Sequence, residues 1–184
     1  MWSKDQIEPY RDFAKPYYEL KDPAHDFRHI ERIIKRLTML SENLSQEIHL
    51  EKLYFLACFH GLGKQLLSNK DFNTQVRMFL EGLDWTAKEI EEIFRSLYRH
   101  LTNPQSIEEK IVHDANYIEI LGAFGIAKAF TTGEAKGQSL EETADIFEHQ
   151  YLDKVVFQTP VGKRLADERK NYAREYLVRL RKEL

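Results

Sequence analysis

The sequence predicts an all-α protein, and three observations carry that prediction. Apolar residues recur at helical spacing at Phe27, Ile30, Ile33, Ile34, Leu37, Leu40 and Leu44. Thr86 with Glu89, Ser106 with Glu109, and Ser139 with Glu142 have the spacing of a capping box, in which a hydroxyl and a glutamate satisfy each other's backbone donors. No window alternates apolar and polar residues between turn signals, as a half-buried strand would.

In chain order, Pro23 precedes a helix predicted over Phe27–Leu44. A second helix runs from His49 to His60 and is apolar nearly all round its C-terminal half, so it is central and buried. Gly61 and Gly63 stop it. The segment from Ser68 to Trp85 matches nothing diagnostic. The three capping-box positions open further helices. Thr159-Pro160 opens the last, with proline in the first turn where its missing N–H is harmless, and that helix is expected to reach the C-terminus. The expectation is about seven or eight helices in one domain over residues 1–184. Within it, a motif-bearing core spans about 22–130 and C-terminal helices about 139–184.

Composition narrows the function classes. The 184 residues are 42% hydrophobic and 31% charged, enough for a core in a soluble globular domain. A net charge of −3 gives no general attraction for nucleic acid or anionic lipid. No apolar stretch is long enough to span a bilayer, and Met1-Trp2-Ser3-Lys4-Asp5 lacks the build of a signal peptide. A cytoplasmic protein without nucleic-acid or membrane partners is the default expectation. Cys58, the single cysteine, lies in an apolar run and reads as a buried, inert thiol. The sequence sets no oligomeric state.

Asp114 falls on a helical stripe with Ile107, Ile111, Ile118 and Leu121. A carboxylate there is partly buried and needs a cation close by, either Lys or Arg or a metal. His29 lies on the inward side of its helix and His60 ends the most apolar helix. Each is, by itself, read as a core histidine or a ligand. His25 and His29 are four apart, but the HExxH arrangement of a zinc protease is absent. There is no GxxxxGK[ST] phosphate loop and no GxSxG elbow.

Three segments stand in a telling order. They are Pro23-Ala24-His25-Asp26-Phe27-Arg28-His29-Ile30-Glu31-Arg32-Ile33, then Cys58-Phe59-His60-Gly61-Leu62-Gly63-Lys64, then the run from Lys110 through His113-Asp114-Ala115-Asn116 to Ala127. Together they resemble the HD-domain superfamily of metal-dependent phosphohydrolases. The tail Gln158-Thr159-Pro160-Val161-Gly162-Lys163-Arg164-Leu165-Ala166 resembles the end of one bacterial subgroup. The resemblance runs from about residue 22 onward and implies an HD-type helical bundle.

It also implies a divalent metal (Mn, Fe, Co, Ni, Zn or Mg) on His29, His60 and Asp114. Lys64 would be catalytic and, with His100, face the phosphate; Asp26 and Arg32 would brace the site. The partner is then a small phosphorylated molecule or a nucleotide. Gly61 stands where the family carries the aspartate of its His-Asp pair, Asn116 where a second aspartate is usual, and Tyr117 where a basic residue is common. The expected activity is a phosphohydrolase weakened at Gly61; the alternative is an inactive pseudoenzyme that binds or regulates. A helical interaction module without a ligand is the third reading. A left-handed helix cap is the structural alternative for Gly61. If metal is absent, the charge of Asp114 is expected to be met by Lys64, or by protonated His60 or His29.

Overall fold

Helix follows helix along the whole chain, because apolar stripes at helical spacing alternate with short polar or glycine-bearing turns. The computed structural model describes residues 4–19, 21 and 26–184. Among these are ten α-helices. They are α1 (Lys4–Ala14), α2 (Phe27–Leu40), α3 (Leu50–Phe59), α4 (Gly63–Ser68), α5 (Lys70–Glu81), α6 (Ala87–Arg99), α7 (Ile107–Glu119), α8 (Gly122–Ala135), α9 (Leu140–Ile146) and α10 (Pro160–Glu183). A 3-10 turn, Lys15–Tyr18, extends α1, and a π-helical segment, Phe147–Leu152, extends α9. No strand occurs among the described residues. The count of about seven or eight helices is thus corrected to ten; short α4 and α9 carry too few residues to show a period.

Two other expectations shift. The helix predicted to Leu44 ends at Leu40, and Asn43 adopts a left-handed φ of 60° just beyond it. The capping boxes at Thr86 and Ser139 form in full. At Ser106 only half of one forms: the hydroxyl accepts from Glu109 N–H, while the Glu109 carboxylate accepts from Gln105 N–H and two nitrogens of Arg99.

The chain divides into two compact units, one of residues 1–38 and 45–113, the other of residues 39–44 and 114–184. The first is built round α3. Leu53 to Phe59 are all buried, as the all-round apolar run requires. Phe13 of α1 stacks on Phe59 at 5.8 Å between centroids and on Phe79 of α5 at 4.3 Å, and within α3 Phe55 stacks on Phe59 at 4.3 Å. Phe55 also meets Phe94 and Trp85. Burial pushes the Cys58 thiol up, so it stays protonated and inert.

In the second unit α8 packs on α9 and α10. Arg181 pairs with Asp145 and Glu148, each at 2.7 Å. Arg169 donates to the carbonyl of Ile118. Gly162, in the first turn of α10, has no Cβ, and one placed there would collide with the Asp114 carboxylate. The missing side chain lets that carboxylate reach the helix end.

Candidate active site

Histidine chemistry gathers at the end of α3. His29 sits in the first turn of α2 and is buried. Its ring lies 5.4 Å, centroid to centroid, from that of His60, edge to face. His60 follows α3 and is half-buried. Its Nδ1 is 2.8 Å from Nε2 of His100, which caps α6. His100 Nδ1 in turn lies 2.6 Å from the carbonyl of Leu97.

This chain fixes tautomers. A carbonyl only accepts, so His100 donates through Nδ1–H. Burial drives the His100 pKa down to about 4, outweighing the Leu97 carbonyl and Glu109, which raise it, so the ring is neutral near pH 7. Its Nε2 therefore accepts, and His60 must donate through Nδ1–H. In neutral His60, Nε2 then carries the lone pair that a metal or a proton would take. His100 is thus a buried, uncharged support for His60.

The N-terminus of α2 is organised by Asp26. Its carboxylate accepts from Arg28 N–H at 2.9 Å and pairs with the Arg28 guanidinium at 2.6 Å. Those bonds hold its carboxyl below the usual range. His29 N–H donates to the Asp26 carbonyl. Asp26 so shapes the turn that carries His29. Arg32 is half-buried on the same helix, and Lys64 is exposed in the first turn of α4. His25 and Pro23 lie outside the described residues.

Asp114 belongs to the second unit. It is fully buried, and its carboxylate accepts from Thr159 N–H at 2.7 Å, Thr159 Oγ1–H at 2.8 Å and Gln158 N–H at 2.9 Å. The expectation was a cationic partner such as Lys64. These three donors come from the start of α10, whose helix end is itself positively polarised.

Gly61 is exposed in the turn between α3 and α4. Positive φ among the described residues occurs at Asn43, Asp84, Gly122 and Gly137. Gly61 is therefore not a left-handed cap, and that reading is corrected. Close approach is its reason instead. A Cβ on Gly61 would lie 3.1 Å from both Lys21 Nζ and Tyr18 Cε1. The Tyr18 hydroxyl donates to the Cys58 carbonyl at 2.9 Å and accepts from Gly61 N–H at 3.1 Å. Lys21 Nζ donates to the Gly61 carbonyl at 2.5 Å and stands 4.8 Å from the Tyr18 ring centroid.

Sequence reasoning missed Tyr18 and Lys21 because they precede the first motif, and gave no role to His113, which is buried in α7. Among the described residues no group of three or more His, Cys, Asp or Glu side chains is arranged to hold a metal ion. The first unit supplies two imidazoles, His29 and His60, a donor pair that suits a borderline divalent ion.

The fold has solved relatives. An HD-superfamily hydrolase from Bacillus thuringiensis superimposes with a TM-score of 0.79, at 26% identity over 98% of this chain and 97% of that one. The chain has an HD-domain-like fold. Bacillus subtilis YpgQ, solved in complex with ADP, matches this HD-type fold with a TM-score of 0.76, at 24% identity over 98% and 95% of the two chains. By sequence the chain is 27% identical to uncharacterized YpgQ over 97% of its own length and 94% of that relative. No family model matches it. No helix among the described residues is long and apolar enough to cross a membrane.

Proposed function

We propose that this protein is an HD-type metal-dependent phosphohydrolase acting on a small phosphorylated metabolite or a nucleotide, with its site weakened by Gly61. The observation that carries this reading is the His29–His60 pair with its His100 support. A histidine held through Nδ1 by a supporting partner is what a ligand imidazole requires. The resemblance adds Asp114 as the carboxylate ligand and Lys64 toward the phosphate; His100, with both ring nitrogens engaged, supports His60 and does not face the phosphate. When bound, a divalent ion would offset phosphate charge and lower the pKa of a coordinated water. His29 and His60 would hold it, and Lys64, exposed on α4, would offer its charge to the phosphate oxygens. YpgQ in complex with ADP supports a nucleotide as the ligand class. The 1–184 chain is proposed to work as one domain.

A second reading, a pseudoenzyme that binds the same ligands without turnover, is favoured by one observation: glycine at position 61 with Lys21 against it. The test is phosphate release from p-nitrophenyl phosphate and from ADP with Mn, Co, Ni or Mg. Release is expected with at least one ion, and its loss in His60→Ala and His29→Ala. ADP binding without release under any of the four ions would replace the first reading by the second.

A further inference from the structure

Tyr18 precedes every motif, yet it stands between the two elements that carry the paired histidines. It closes the 3-10 turn after α1 and is buried. On one side its ring packs on Phe27, 5.8 Å between centroids, at the first residue of α2 and two positions before His29. On the other, its hydroxyl donates to the Cys58 carbonyl and accepts from Gly61 N–H, two residues before and one after His60. Leu62 N–H, which a continued helix would aim at the Cys58 carbonyl, donates to the Phe59 carbonyl at 2.8 Å. The tyrosine thus enters the helical ladder where it breaks, and a side chain inserted there sets how the chain bends. Burial pushes the Tyr18 phenol up, so the hydroxyl keeps its proton and serves as donor and acceptor at once. Glycine at 61 permits this approach, since a Cβ there would stand 3.1 Å from Tyr18 Cε1 and 3.3 Å from its hydroxyl oxygen.

We propose that Tyr18 is a positioning residue, whose hydroxyl fixes the main chain around His60 and so holds that imidazole against His100 and beside His29. The His60 ring centroid lies 5.0 Å from that of His100 and 5.4 Å from that of His29. A rotation of the turn carries His60 Nδ1 out of its 2.8 Å contact with His100, because a hydrogen bond weakens steeply as its length and angle depart from the optimum. A ligand imidazole that loses its supporting partner then loses metal affinity. Tyr18 and Gly61 are a matched pair in this arrangement: the ring occupies the space that a side chain at 61 would need. The consequence for metal rests on the reading of His60 as a ligand, while the hold on the His60–His100 contact does not.

The test uses the full chain and compares Tyr18→Phe, which keeps the ring and its packing on Phe27, with Tyr10→Phe. Tyr10 is also buried, and its hydroxyl accepts from Trp85 Nε1–H at 3.3 Å, so this control deletes a buried hydroxyl bond away from the turn. Urea unfolding establishes that both variants are folded. The first arm is free of metal: nitrogen chemical shifts of the His60 ring are read through its carbon-bound protons in EDTA near pH 7. Wild type and Tyr10→Phe are expected to show a protonated Nδ1, and Tyr18→Phe a shift toward a mixture of tautomers. The second arm is Co(II) titration by calorimetry, in which Tyr18→Phe binds about tenfold or more weakly than wild type and Tyr10→Phe binds as wild type does. Unchanged His60 nitrogen shifts in Tyr18→Phe would overturn the proposal. So would equal changes in the two variants, or Co(II) affinity in Tyr18→Phe equal to that of a wild type that binds. A wild type that takes up no Co(II) counts against the hydrolase reading, and the metal-free arm then decides the role of Tyr18.

Discussion

His100 is held neutral in a place where an unfolded chain would let it protonate. Its pKa falls from 6.5 to about 4 because burial removes water from the charged ring. Between those values the unfolded state binds the extra proton, so stability rises with pH across the window. The contribution is present above pH 6.5 and is lost as the pH falls toward 4. It amounts to about 3 kcal/mol at most. His100→Gln keeps a polar side chain but does not titrate. Urea unfolding at pH 7, 6, 5 and 4 is expected to fall less steeply for this variant than for wild type. Parallel slopes would mean that His100 is not the titrating group. His60 loses its Nδ1 acceptor in His100→Ala, and the affinity of the protein for Mn or Co is expected to drop about 10-fold or more, as when a supporting partner of a ligand histidine is removed. Calorimetry reads that directly.

At the scale of elements, two buried carboxylates tie helices that their own turns would leave loose. Glu109, fully buried on α7, bonds Arg99 at the end of α6 through two nitrogens and accepts from Gln105 N–H in the connection between them. Burial raises its pKa, but these bonds outweigh that and hold it below the usual value. Asp114 does the same for α10 by accepting from Gln158 and Thr159. A helix start satisfied by a charged acceptor loses more than a neutral cap when the acceptor is deleted. Asp114→Ala is expected to cost about 2–4 kcal/mol in urea unfolding without any metal present, since two backbone donors and a hydroxyl lose their buried partner. A variant as stable as wild type would show that the carboxylate is kept for ligand chemistry alone. Thr86 and Ser139, whose capping boxes form as their spacing predicts, are worth about 1 kcal/mol each.

At the scale of the molecule, the chain passes between its two units three times, after residues 38, 44 and 113. The last passage falls inside α7, whose hydrogen bonds run unbroken through it. A cooperative helix shared in this way opposes separate unfolding. Trp85, the tryptophan among the described residues, is buried in the first unit. Its fluorescence thus follows one unit and far-UV circular dichroism follows both. Coincident urea transitions are expected, in line with one domain; two separated midpoints would divide the molecule at His113. Among the described residues, the fold class, the burial of α3, the start of α10 and two capping boxes were legible in the sequence. Each depends on residues a few positions apart, where helical periodicity and local hydrogen bonds decide the outcome. The inward histidines were legible by resemblance, one at a time. Their partners were not. That His100 supports His60, that Asp114 faces the start of α10, and that Lys21 and Tyr18 close on Gly61 join residues 40 to 45 positions apart. No sequence period links such positions. Chain packing brings them together, and the burial it imposes sets which proton each ring keeps.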